Sequence, residues 1–106
     1  MSTTDDALDS RVMLSVQRAL VGCITPEMRY ISVEWSRHRI SLHIYVDGAM
    51  RDNAYEDFDA EAMTQIFADF SFPDQKPPQV GCTFHRCDAP QKPDSEGRLV
   101  YGRKET

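Results

Sequence analysis

Apolar residues recur along this chain with two different periods. In the first segment they fall at Leu8, Val12, Val16, Ala19 and Leu20, the spacing of one face of an α-helix. The pattern predicts a helix over about residues 5–21. Thr3 or Thr4 can cap it, Asp5, Asp6 and Asp9 suit the positive end of its dipole, and Gly22 stops it. Thr25-Pro26 then forces an extended or turning backbone. Beyond it the period drops to two. Ile31, Val33 and Trp35 alternate with Tyr30, Ser32 and Glu34, and Ile40, Leu42, Ile44 and Val46 alternate with Ser41, His43 and Tyr45. With only Ser36-Arg37-His38-Arg39 between them, the two runs predict an antiparallel hairpin with one buried and one wet face.

Helical spacing returns after Asp47-Gly48. Phe58, Ala62, Ile66 and Phe70 recur every fourth residue, flanked by Tyr55 and Phe67, and predict a helix over about residues 53–70 with Asp52 as N-cap and Glu56 near the capping-box position. A loop with Pro73, Pro77 and Pro78 leads to a strand from Gln79 to about Cys87. A Pro-containing stretch over residues 88–97 reads as a flexible loop, a short strand runs from Arg98 to about Gly102, and residues 103–106 read as a frayed tail. The order α-β-β-α-β-β predicts one α+β domain over residues 1–106. Its sheet would be four-stranded and antiparallel-rich, with both helices on one face. Tyr30, Ser32, Glu34, Ser41, His43 and Tyr45 would line the open face.

Charge adds a feature that periodicity does not. The net charge of the 106 residues is −5, and it is concentrated. Asp47, Asp52, Glu56, Asp57, Asp59 and Glu61 stand against Arg51 alone, so this one segment carries the surplus of the whole chain. Part of the run suits the start of a helix. Its field repels a nucleic-acid backbone and attracts basic partners. The only sizeable basic grouping, Arg98, Arg103 and Lys104, is too thin for a nucleic-acid footprint. The start is polar and acidic, unlike a signal peptide, and the longest apolar stretch, Ala19 to Ile24, is too short to cross a bilayer. These features predict a cytoplasmic protein. Three cysteines, an odd number, argue against a disulfide framework.

Few patterns suggest chemistry. Cys82 to Cys87 invites a zinc site, but residues five apart on a strand point to opposite faces, and no second paired motif supplies the missing ligands. His85 and Cys87 share a strand face without a Gly-rich oxyanion turn nearby. His43 lies on the wet face, and Asp57 and Glu61 share a helix face as solvated charge or a weak cation site. No phosphate-cradling loop or dinucleotide fingerprint is present. Neither a cofactor nor a metal is expected.

A resemblance gives these observations direction. It is carried by the segment from Ser15 to Gly22, by Ile24-Thr25-Pro26-Glu27-Met28-Arg29, by Val33-Glu34-Trp35, by Tyr45-Val46-Asp47-Gly48, and by Leu99 to Glu105. Together they resemble small bacterial immunity proteins of contact-dependent growth inhibition and related toxin systems. The similarity runs over nearly the whole chain, although Cys82 to Cys87 departs from the plainer strand expected there. It implies the same element order and a non-enzymatic protein that neutralises a cognate toxin domain, often a nuclease. It transfers no binding residues.

The sequence itself nominates Asp47, Asp52, Glu56, Asp57, Asp59 and Glu61 as an electrostatic contact for a basic toxin domain, with Tyr30, Tyr45 and Tyr55 as aromatic anchors. When free, the protein would be a monomer or a weak homodimer. Two other readings stand beside this one. One is a small enzyme using His43 or His85 with neighbouring carboxylates, whose groups would converge in one pocket. The other is a homodimer joined through the open sheet face.

Overall fold

In a computed structural model of the protein, residues 3–48, 52–70, 76–89 and 97–103 are described, without the side chains of residues 3–8 and of residue 52. The first apolar stripe winds into α1 (Thr3–Leu20), which buries Val12, Val16, Ala19 and Leu20. The hairpin follows as β1 (Met28–Trp35) and β2 (Arg39–Val46), antiparallel, with Ile31 opposite Ile44 and Val33 opposite Leu42.

The second helical segment departs from a plain helix. It consists of α2 (Asp52–Phe58), a π turn (Asp59–Met63) and α3 (Thr64–Asp69). The four-residue spacing of its apolar stripe supplies the reason. A step of four residues overshoots a 3.6-residue turn by about 40°, so three steps along a regular α-helix would rotate the stripe by ~120°. The wider π turn takes up the excess, and Phe58, Ala62, Ile66 and Phe70 all stay in the core.

β3 (Gln79–Arg86) and β4 (Arg98–Gly102) complete a sheet in the order β3-β2-β1-β4. β4 runs antiparallel to β1, but β3 runs parallel to β2, so the sheet is mixed. The helical segment between β2 and β3 acts as a crossover that returns the chain to the start of the sheet, which parallel pairing requires. The helices pack on one face. There α1 meets α3 and the π turn, while β3 meets the π turn and α3.

The other face carries Tyr30, Ser32, Glu34, Ser41, His43 and Tyr45. The pairing register adds Gly81, Thr83 and His85 from β3 and Leu99 from β4. Leu99 is 54% exposed.

One end of the sheet is tied by a polar network. A register shift between Met28 and Tyr30 leaves Arg29 at a bulge, with its side chain buried. Arg29 Nη1 donates to the Cys87 carbonyl at 2.8 Å. Arg103 lies at the end of β4, where the sequence suggested a frayed tail. It is anchored instead: its amide donates to the Arg29 carbonyl, Nη1 to the Pro26 carbonyl and Nη2 to Asp47 Oδ2. Residues 104–106, and residues 90–96 of the expected flexible loop, lie outside the described residues.

Candidate functional site

The nine residues nominated from the sequence are divided between the two layers. Glu56, Asp57, Asp59 and Glu61 project from the exposed side of α2 and the π turn. Among the described residues none of the four enters an ion pair. Asp59 and Glu61 accept instead from thiols. Cys82 Sγ lies 3.5 Å from Asp59 Oδ1, and Cys23 Sγ lies 3.8 Å from Glu61 Oε2. Burial, reinforced by Asp59, pushes the Cys82 thiol up to about 12. Burial, with Glu61 adding to it, also raises Cys23. Both environments therefore favour the protonated thiol over the nucleophilic thiolate.

Asp47 is drawn away from this group. It pairs with Arg103 at 3.3 Å and belongs to the network at the sheet end. The Asp52 side chain is outside the described residues. Tyr55 packs inward, edge-on to Phe84 at 4.7 Å between ring centres. Tyr30 and Tyr45 sit on the opposite face of the sheet from the acidic helix. Tyr45 is only 7% exposed and presents little area.

The open face brings His43 and His85 together with a carboxylate, the convergence that the enzyme reading required. Glu34 Oε2 lies 3.0 Å from His43 Nε2, and His43 Nδ1 lies 3.0 Å from His85 Nε2. The two imidazole centres are 5.3 Å apart, the reach of two rings set end to end with their nearest nitrogens on the line between them. That alignment suits an in-line N–H···N hydrogen bond. It does not suit a shared metal ion, which needs lone pairs converging from an angle. His85 in turn stacks on Tyr45 at 4.9 Å. Directly opposite His43 on β1, Ser32 is fully buried and its hydroxyl has no hydrogen-bond partner.

Beside this row lies a groove of about 400 Å³. Glu34, His43 and Thr83 line it together with Ser36, Arg39 and Ser41. Gly81, paired with Ser41, forms part of the floor, and a Cβ there would meet nothing within 4 Å. The missing side chain is thus part of what opens the groove.

Alternation alone placed Glu34 and His43 on one face. His85 joins them through the parallel register of β3, which depends on the crossover and has no local signal. Cys82 and Cys87 have separate surroundings, Asp59 for one and Arg29 for the other. Among the described residues, no group of three or more His, Cys, Asp or Glu side chains is placed to hold a metal ion. No described helix is long and apolar enough to cross a membrane.

Compared with known proteins, residues 9–105 match the family model described as MafI2 immunity protein. No curated protein matches the chain.

Proposed function

The chain belongs to the MafI2 immunity protein family, and from that premise we propose that it binds a cognate toxin domain in the cytoplasm of the producing cell and blocks it, the toxin being a basic nuclease delivered by contact-dependent growth inhibition. The observation that carries the finer reading is the acidic helix surface. Glu56, Asp57, Asp59 and Glu61 are exposed together, and none is neutralised by a described cation. A domain that binds phosphate backbones must be cationic. A concentrated anionic surface accelerates its capture and sets its orientation.

The test is to reverse Asp57, Asp59 and Glu61 to lysine and follow association with the cognate toxin at several salt concentrations. The expected result is an association rate at least tenfold lower at low salt, with a flattened salt dependence. An unchanged rate and salt slope count against the electrostatic reading.

The convergence of Glu34, His43 and His85 beside a groove supports a second reading, that of a hydrolytic enzyme. It is the weaker one. Both ring nitrogens of His43 are engaged, one by Glu34 and the other by His85, so His43 has none left for a substrate proton. Turnover of a phosphodiester or ester substrate by the isolated protein, lost in His85→Ala, would favour it.

A further inference from the structure

We propose that the toxin docks astride the outer edge of β3 and seats a cationic side chain, best an arginine, in the groove floored by Gly81. This inference rests on the immunity reading and names the contact that reading leaves open.

The first observation is the edge itself. β3 ends the sheet, and no described strand pairs with its outer side. It runs eight residues in unbroken register with β2. Edge strands are normally blunted by proline, lysine or a bulge. Gln79 to His85 contains neither proline nor lysine, and the only charge in the strand is the terminal Arg86. The opposite edge strand, β4, is shorter and bulged.

The second observation is the chemistry on either side of that edge. Successive β3 residues face opposite layers. Cys82 points to Asp59 on the helix side, while its neighbour Gly81 floors the groove on the other. One partner reaching around the strand therefore meets exposed carboxylates on one side and a depression on the other.

The third observation is the set of acceptors in that depression. Glu34 gives one carboxylate oxygen to His43, and no described residue bonds the other. Ser36, Ser41 and Thr83 add hydroxyls, and Arg39 stands among the lining residues as the single cation. A guanidinium carries five donors in a planar fork and can meet a carboxylate oxygen together with hydroxyls of the same groove. The chain Glu34–His43–His85–Tyr45 is already fixed by its own hydrogen bonds and stacking, so little side-chain freedom is lost on docking.

The experiment measures binding of the purified cognate toxin domain to wild type, Gly81→Leu, Glu34→Gln and the Asp57, Asp59, Glu61 lysine triple variant by biolayer interferometry. Glu34→Gln keeps an acceptor for His43 and removes the charge. Gly81→Leu fills the groove and, with open space around it, is expected to keep a native circular dichroism spectrum. The expected result is binding at least tenfold weaker for Gly81→Leu and about fivefold weaker for Glu34→Gln, mainly through faster dissociation. One toxin arginine changed to alanine should cost no more in combination with Glu34→Gln than alone. Two folded variants within twofold of a tightly binding wild type would overturn the groove contact and leave the immunity reading standing. A wild type that fails to bind the toxin would overturn both.

Discussion

His43 and His85, from neighbouring parallel strands, share a hydrogen bond of 3.0 Å between Nδ1 and Nε2, and Glu34 determines which of them donates. The carboxylate accepts from His43 Nε2, so neutral His43 carries its proton there and Nδ1 is left as a lone pair. His85 Nε2 must then be the donor. Long-range nitrogen–proton correlation spectra at neutral pH should show the Nε2–H tautomer for both rings. A His43 in the Nδ1–H form would contradict the arrangement.

Ser32 offers a measurement of cost. Its buried hydroxyl lacks a partner, and an unpaired buried polar group costs ~1–3 kcal/mol. Ser32→Ala should therefore leave stability unchanged or raise it by about 1 kcal/mol in urea unfolding. A clear loss of stability would mean that the hydroxyl is bonded in solution.

Asp88 should shape the acid limb of stability. The hydrogen bond from Arg86 and, after it, the Gly48 amide hold its carboxyl below the usual range. A carboxyl lowered on folding contributes stability above its unfolded value, and that contribution is lost as pH falls through the folded value. The loss belongs below 3.8, the ordinary value of an aspartate carboxyl. Asp88→Asn should flatten the dependence of the thermal midpoint in that window and leave its shape above pH 6 unchanged.

Cys82 is raised from 9.0 to about 12, chiefly by burial. Its protonated form is favoured by folding, so its contribution is complete below pH 9.0 and declines as pH rises toward 12. At pH 8 iodoacetamide should spare Cys82 in the folded protein and label it after denaturation, as read by peptide mass spectrometry. Rapid labelling in the folded state would show the thiol to be open.

The elements were legible in the sequence wherever one physical period dominated. Val12 and Val16 on a helix, and Ile31 and Ile44 across a hairpin, were specified by local spacing. The direction of β3 was not, because parallel pairing arises from a crossover of some thirty residues rather than from any local pattern. The site followed the same division. The carboxylates from Glu56 to Glu61 are exposed as their spacing implied, but Tyr55 turned inward because Phe84 gave it an aromatic edge to pack on. Asp47 was claimed by Arg103. His85 reached His43 through a register that no short window encodes.

The π turn from Asp59 to Met63 gives the protein a tolerance of length. Phe58, Ala62, Ile66 and Phe70 sit four apart because the turn holds one residue more than an α-helix needs. Deleting any one of the exposed residues Asp59, Ala60 and Glu61 would turn that spacing into three, four and four, the ordinary rhythm of an α-helix. The flanks would keep their phase and the core its contacts. The acidic surface can therefore lose a residue, and with Asp59 or Glu61 a charge, while the apolar stripe keeps its phase. That leaves the length of this stretch uncoupled from the packing of the domain beneath it.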